Sequence, residues 1–282
     1  MSPFVRRLIA PAALASALVS VPAMVSAHRG WLLPSGTVFS GTDSWVTVDA
    51  AISNDLFFFD HQPLRIEPMK VWQPDGSEGQ LQNGATGRYR STFDVKLDKP
   101  GTWKIGLVQN AVMGSFTADG VEKRIGRRGP PRPGDAAALT VADIPANATD
   151  VKVVEMSGRN EIFVTAGEPT TKVFATTGKG LEFVPITHPD ELVAGQPARF
   201  RFLIDGKPAA GLKATVVPGG KRYRDAEGAR ELVAGPDGVV TVTWPTAGMY
   251  WLNATATDAK PTTPRATERR MNYTTTLEVL TP

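Results

Sequence analysis

The chain has 282 residues, of which 41% are hydrophobic and 21% are charged, and these proportions are typical of a folded globular protein. It contains no cysteine, which excludes disulfides, thiolate metal sites, iron–sulfur clusters and cysteine nucleophiles. The formal net charge is +3 and falls to +1 (3 − 2) without the two arginines of the first 27 residues, so charge gives no case for a nucleic-acid partner.

The first 27 residues have the three parts of a secretory signal peptide. Arg6 and Arg7 form a positive region, an apolar stretch runs from residue 8 to about residue 21, and Val25 and Ala27 stand at positions −3 and −1 of a cleavage site. The apolar stretch is short and interrupted by proline, whereas a membrane anchor needs about 20 apolar residues. We therefore expect cleavage after Ala27, a periplasmic or secreted product, and no membrane span after leader removal.

Beyond the leader, strand patterns recur and helical periodicity is scarce. The 27 glycines and 23 prolines favour many turns over long helices. Two of the strand patterns, residues 151–156 and 161–165, are predicted to form a hairpin across residues 157–160. The predicted strands cover residues 44–50, 65–72, 88–97, 102–108, 151–156, 161–165, 180–186, 198–204, 212–217, 239–244, 249–253 and 273–280.

A faint internal repeat organises these strands. Residues 74–76 and 236–238 are both tight turns. Each is followed by a strand and then by a second turn, at residues 100–103 and 247–250, which leads into a strand with aromatic residues. This spacing predicts an all-β fold of two tandem immunoglobulin-like β-sandwich domains. The predicted divisions are a signal peptide of residues 1–27, an N-terminal sandwich of residues 28–170 and a C-terminal sandwich of residues 171–282.

His28 becomes the first residue of the mature chain if the leader is removed after Ala27. It then offers two metal ligands from one residue, the α-amine and the ring nitrogen Nδ1. One or two further imidazoles would complete a tetragonal, nitrogen-rich site that suits Cu(II) or Ni(II). The amine must lose its proton, from an unperturbed pKa of about 8, so metal affinity should rise with pH. The alternative is a leader remnant at a frayed terminus.

His61 and His188 are the only other histidines. His61 follows three consecutive phenylalanines, which suit a buried strand or the wall of a pocket, and Asp60 beside it is a candidate second-sphere carboxylate. His188 stands at the predicted end of a strand, with Asp190 as the corresponding carboxylate. Both histidines could instead be ordinary turn residues. We predict that His28, His61 and His188 bind one divalent transition metal, Cu, Ni or Co, between the two domains.

Motifs for other chemistries are missing from the sequence. It has no H-E-x-x-H, G-x-S-x-G, Walker or dinucleotide-binding pattern, and no catalytic residue is predicted. The basic, proline-rich stretch 123–133 is predicted to be a long loop, with an anionic-ligand or partner site as the alternative.

The start of the mature chain carries a resemblance to a known family. Residues 27–35 read Ala-His-Arg-Gly-Trp-Leu-Leu-Pro-Ser, which resembles the opening of a periplasmic family known as nickel/cobalt-uptake-transporter-like, a domain of unknown function. Residues 180–185, 205–208 and 237–238 resemble its second half. The resemblance implies an exported, metal-linked β protein that serves uptake across the envelope, with an envelope transporter as partner. The Ala-His start is also similar to periplasmic copper carriers, and from that comparison only His28 carries over.

Three hypotheses about function follow from the sequence. The first is an exported transition-metal binding protein that acts as a carrier or an accessory to metal uptake. The second is a copper oxygenase in which an N-terminal histidine and another histidine hold the copper. The third is an envelope module that binds a protein or a glycan and has no metal site.

Overall fold

The computed structural model describes residues 28–41, 43–127, 129 and 134–282. The predicted signal peptide lies outside the described residues, as do residues 128 and 130–133 of the basic stretch. The described residues contain three short 3₁₀ helices, Val141–Asp143, Lys172–Phe174 and Lys221–Tyr223, and none of their helices has the length and apolar character needed to cross a membrane.

Eighteen strands account for the architecture of the described part of the chain. Numbered along the sequence, they are β1 (Arg29–Pro34), β2 (Val38–Phe39), β3 (Ser44–Ser53), β4 (Gln62–Pro63), β5 (Lys70–Trp72), β6 (Gln82–Thr86), β7 (Ser91–Leu97), β8 (Gly101–Ala118), β9 (Val121–Ile125), β10 (Thr149–Ala166), β11 (Leu181–Pro185), β12 (Pro197–Ile204), β13 (Lys207–Pro208), β14 (Lys213–Pro218), β15 (Arg230–Val233), β16 (Val239–Thr243), β17 (Gly248–Asp258) and β18 (Glu268–Val279).

These strands form three sheets. The N-terminal sheet has the order β1-β3-β7-β6, with β4 also paired to β3. The central sheet has the order β15-β14-β17-β18-β10-β8-β5, with β2 beside β10 and β9 beside β8. The C-terminal sheet has the order β11-β12-β13, with β16 paired to β12. The central sheet therefore takes strands from both halves of the sequence.

The central sheet carries a hydrophobic core on each of its faces, because successive side chains of a strand point to opposite faces. On β10, Ile162, Val164 and Ala166 belong to the core under the N-terminal sheet. Phe163, between them, belongs to the core under the C-terminal sheet. The two sandwiches thus lie back to back on one shared sheet. Tyr273 of β18 lies on the same face as Phe163 and is fully buried.

The predicted all-β, immunoglobulin-like sandwich fold is confirmed. Its N-terminal core draws on residues from Leu32 to Ala166, and its C-terminal core on residues from Phe163 to Val279. A smaller cluster joins the two halves of the sequence, since Trp31 of β1 packs with Val217 and Trp251 of the central sheet.

The predicted hairpin at residues 151–165 is wrong. Residues 149–166 form the single strand β10, which pairs antiparallel with β8 and parallel with β18. Gly158 and Asn160, which looked like turn residues, are in register with Gln109 and Leu107 of β8. Hydrogen bonding to strands on both sides outweighs the local preference of this stretch for a turn.

The predicted strand at residues 65–72 is too long. Only Lys70–Trp72 is extended and paired, because the backbone N–H of Met69 donates to the carbonyl of Ile66 and closes a turn before it. The three phenylalanines at 57–59 lie in a loop instead of a strand, and Phe57 has a positive φ of 61°.

Candidate functional site

Two of the three histidines lie at the same end of the N-terminal sheet. His28 directly precedes β1, and His61 directly precedes β4. Both of these strands pair with β3, where Arg29 is in register with Ser53 and Gln62 with Ile52. Because β1 and β4 pair with opposite edges of β3, the two histidine backbones are about 10 Å apart.

The imidazole rings of His28 and His61 close this gap by stacking. Their centroids are 3.7 Å apart and their planes are inclined by 16°. Both residues are exposed. The stack therefore places two imidazoles side by side at the surface, next to the terminus that leader cleavage would create.

The loop that carries His61 is held by specific contacts. The Asp60 carboxylate accepts hydrogen bonds from the backbone N–H of Asn54, at 3.0 Å, and from its side-chain amide, at 3.3 Å. Phe57 and Phe59 pack against the fully buried ring of Trp31, with centroids at 5.4 and 5.5 Å. Asp60 thus closes the loop rather than contacting an imidazole.

A second set of contacts holds the residue that follows His28. The Arg29 guanidinium donates to the backbone carbonyl of Asn54 at 2.9 Å and lies 2.6 Å from the Glu227 carboxylate. It also lies over the ring of Trp251, 5.6 Å from its centroid. Because Glu227 and Trp251 belong to the C-terminal half, Arg29 ties the start of β1 to both sandwiches.

The histidine pair fits a divalent metal only after a rotation. The lone pair of an imidazole nitrogen lies in the ring plane, so two nearly parallel rings cannot both direct a lone pair at one ion. Since His28 and His61 are exposed, rotation between staggered side-chain conformations is sterically open to them. No group of three or more His, Asp and Glu side chains is arranged to hold a metal among the described residues. Cleavage after Ala27 would free an α-amine on His28 as one further nitrogen.

The structure does not bring His188 to this pair. His188 is buried and its Nε2 lies 3.0 Å from the hydroxyl of Thr102, which itself lies 2.9 Å from that of Thr165. Gly30 lies against Asn160, five residues before Thr165 on β10. Five residues of a strand span about 16 Å, so the His188 cluster and the histidine pair lie at different ends of the sandwich.

Hydrogen bonding fixes the tautomer of the His188 imidazole. The backbone N–H of Asp190 donates to Nδ1 at 3.2 Å, so the ring proton lies on Nε2 and points to Thr102 and to the carbonyl of Thr170. Thr170 N–H also donates to the Thr102 hydroxyl, which leaves that hydroxyl to donate to Thr165. Thr165 in turn donates to the Asp190 carboxylate at 2.5 Å. Both nitrogens of His188 are thereby engaged.

Burial changes the acidity of both ends of this chain of hydrogen bonds. It raises the pKa of Asp190 to about 7, an effect that the hydroxyl of Thr165 opposes and that the carboxylates of Glu278 and Glu191 reinforce. It lowers the pKa of the His188 imidazole, against the opposing effects of the Thr170 carbonyl and Glu191. Asp190 is thus protonated in the folded state at pH values where it is ionised in the unfolded chain.

Asp190→Asn is expected to gain stability relative to the native protein as the pH rises from 4 to 8. The unfolded carboxyl ionises near pH 4 but the folded one near pH 7, so ionisation favours the unfolded state across this window. A separation of three pH units corresponds to about 4 kcal/mol, and asparagine retains an oxygen that accepts from Thr165.

Urea unfolding of both proteins at each pH measures this effect. His188 acts in the opposite direction, because its lowered pKa costs stability as the pH falls below about 6.5. Both proteins share that contribution, so it cancels in the difference. A difference in unfolding free energy that stays constant from pH 4 to 8 would contradict the assignment.

Sequence reasoning missed the polar side chains beside His28. Gln109, Asn160, Asn253 and Asn272 line one cavity with His28. Part of their signal is positional, because Gln109 and Asn160 take alternating positions that are apolar further along β8 and β10.

Comparison with solved structures finds neighbours of low sequence identity. Similar solved structures include trypsin-activated alpha-2-macroglobulin from Escherichia coli, with 12% identity and a TM-score of 0.23 over 89% of this chain and 16% of that chain. The D0-D1 domain of intimin has 12% identity and a TM-score of 0.22 over 88% of this chain and 97% of its own. A marsupial T cell receptor has 10% identity and a TM-score of 0.21, over 90% of this chain and 74% of that chain.

No curated protein matches the sequence. The family described as Domain of unknown function (DUF4198) matches residues 25–258, a span that includes His28 and His61 and ends before β18. On this match over most of its length, the chain belongs to the DUF4198 family.

Proposed function

We propose that this protein is an exported transition-metal binding protein, in which His28 and His61 hold a divalent Cu, Ni or Co ion. The observation that carries the proposal is the 3.7 Å stack of the two imidazoles beside the predicted cleavage site. After cleavage, the α-amine and Nδ1 of His28 and one ring nitrogen of His61 would supply three nitrogen ligands. Nitrogen ligands of this kind suit Cu(II) and Ni(II).

The surroundings of the pair support a binding role. Arg29 and Asp60 fix the two segments that carry the histidines, through contacts to the same residue, Asn54. The histidine side chains themselves remain exposed. A fixed backbone with free, accessible imidazoles is suited to taking up an ion from solution and releasing it again.

The biological setting of this proposal comes from the leader and the resemblance. The predicted signal peptide points to the periplasm or the exterior, and the opening Ala-His-Arg-Gly-Trp-Leu-Leu-Pro-Ser resembles nickel/cobalt-uptake-transporter-like proteins. In this setting the protein acts as a carrier or accessory that delivers the metal to an envelope transporter.

Calorimetric titration of the mature protein, which begins at His28, with Cu(II) and Ni(II) tests the proposal. We expect one ion per chain and an affinity that rises with pH, because protons compete with the metal for the nitrogens. His61→Ala should weaken binding about tenfold or more, which corresponds to about 1.4 kcal/mol.

His188→Asn is the matched control, since it removes the one other mature imidazole from the buried cluster. It should leave the metal affinity unchanged. Equal affinities of the native protein and His61→Ala would contradict the proposal, and so would a loss of affinity in His188→Asn.

A further inference from the structure

An unpaired section lies in the middle of β8, along the edge that faces away from β10. β5 pairs with this edge only as far as Gly106, and β9 only from Gly114 onwards. Between these two residues, no strand in the described part of the chain pairs with the edge. Residues 108–111 are all exposed, although β10 pairs with the other edge of β8 here. We call residues 108–111 the strand gap.

Hydrogen-bonding groups of the strand gap point away from β10. In an antiparallel pair of strands, hydrogen-bonded and non-hydrogen-bonded residue pairs alternate. The carbonyl of Val71 on β5 accepts from the N–H of Gly79 at 2.8 Å, so Val71 directs its groups away from β8. Its neighbour on β5 therefore forms the hydrogen-bonded pair with Gly106. Two and four residues further along β8, Val108 and Asn110 direct their N–H and C=O groups to the same side as Gly106.

The sequence around the gap lacks the features that normally protect an exposed strand edge. Natural edge strands carry charged residues or proline, which discourage pairing with another chain. Residues 107–113 read Leu-Val-Gln-Asn-Ala-Val-Met and include neither a charge nor a proline. The edge strands β9 and β15 of the same sheet do carry charges, at residues 122–124 and 230–231. This section of β8 has thus stayed suitable for pairing with a further strand.

The neighbouring strands limit what can pair with the gap. β5 and β9 lie in the row that any added strand would occupy, so only a short segment fits between them. The four residues of the gap span about 13 Å. The β8 strand of a second copy has 18 residues and would overlap both β5 and β9. Recognition of a short extended segment by an open sheet edge is a general mode of peptide binding.

Apolar side chains border the gap on both faces of the sheet. Val108 is 42% exposed on one face, and Met156 of the adjacent β10 is 40% exposed on the other. Side chains of an added strand would alternate between these two faces. An apolar side chain next to Val108 would shield it from water, so the gap favours a segment with apolar residues at alternate positions.

The charges at the ends of the gap favour acidic residues on the partner. Lys123 and Arg124 of β9 are exposed, with Glu122 as their acidic neighbour, and neither cation forms an ion pair in the described part of the chain. Lys70 lies at the β5 end, 4.0 Å from Glu78. β9 also leads into the basic stretch 123–133. Carboxylates just beyond the paired residues of a bound segment would be attracted to these cations.

We propose that the strand gap binds a short extended segment of another protein by strand addition, with apolar residues at alternate positions and acidic residues at its ends. The segment forms main-chain hydrogen bonds with Val108 and Asn110 and lies in the same row as β5 and β9. This interaction requires no metal ion, so it is independent of the proposed function.

Panning of a random nonapeptide phage library on the mature protein tests this proposal. We expect enriched sequences with alternating apolar residues and acidic ends, and a fluorescently labelled copy of one should bind at about one per chain. Asn110→Pro should weaken this binding about tenfold, because proline removes an N–H that the bound segment needs and that β10 does not use. Replacing the acidic residues of the peptide with lysine should weaken it about threefold.

Asn110→Ala is the matched control, because it removes the same side chain but keeps the N–H. It should bind the peptide as the native protein does. If Asn110→Pro does not fold, peptides that are N-methylated at every second amide remove the hydrogen bonds from the other partner. Of the two possible methylation patterns, one should weaken binding to the native protein about tenfold and the other much less.

Three results would overturn the proposal. The first is a library that yields no enriched peptide. The second is equal peptide affinity in the native protein and Asn110→Pro. The third is a dimer of the native protein that Asn110→Pro abolishes, since a second copy would then occupy the gap.

Discussion

His28→Ala in the mature protein is expected to weaken Cu(II) binding about a hundredfold or more, a loss of about 3 kcal/mol. The substitution leaves the α-amine but removes Nδ1, so the two ligands that one residue supplies no longer act together. It also removes the ring that stacks on His61 at 3.7 Å. Competition titration with a chelator of known copper affinity measures the change.

A mature protein extended by Gly-Pro before His28 separates the amine from the ring. This variant keeps both imidazoles but moves the free amine two residues away, and proline has no backbone N–H to act as a substitute ligand. We expect a loss of affinity similar to that of His28→Ala. Copper binding as tight as that of the unextended protein would show that the amine is not a ligand.

Trp31→Ala is expected to destabilise the protein by about 4 kcal/mol, in the range found when a large buried aromatic side chain is truncated. Trp31 is fully buried, donates from Nε1 to the Ser53 hydroxyl at 2.7 Å, and supports Phe57 and Phe59. Since these phenylalanines position the loop that carries His61, metal affinity should fall as well. Urea unfolding and calorimetric titration measure the two effects.

Trp244→Ala is the control for Trp31→Ala. Trp244 is equally buried, but it belongs to the core under the C-terminal sheet. A similar loss of stability with unchanged metal affinity is expected there. The milder pair Trp31→Phe and Trp244→Phe provides the same comparison if the alanine variants leave too little folded protein. Equal metal affinities in the two variants would show that the loop does not depend on Trp31.

Much of the fold could be predicted because it depends on local patterns. Alternation of apolar and polar residues marked strands of the N-terminal sheet, such as β3 and β7, and the turns before β17 and β8 were recognisable from glycine and proline. The shared central sheet could not be predicted. The parallel pairing of β10 with β18 joins residues more than 100 positions apart, and nothing in either segment alone indicates it.

The candidate site, too, could be predicted from the sequence only in part. His28 was recognisable from the leader, and its neighbour His61 from its position after Phe57–Phe59, but their stacking depends on β1 and β4 pairing with opposite edges of β3. The position of His188 depends on contacts that are distant in sequence, because its partner Thr102 comes from β8 and Thr102 in turn contacts Thr165 of β10. A single sequence does not reveal which threonines will surround it.

Anomalous X-ray diffraction from crystals of the mature protein, soaked with one equivalent of Cu(II) or Ni(II), tests the central claim most directly. We expect one strong anomalous peak about 2.0–2.1 Å from the α-amine nitrogen of His28, from its Nδ1 and from one ring nitrogen of His61. The His28 and His61 rings should have rotated out of their stack. A metal peak elsewhere in the molecule, with the two rings still parallel, would contradict the account.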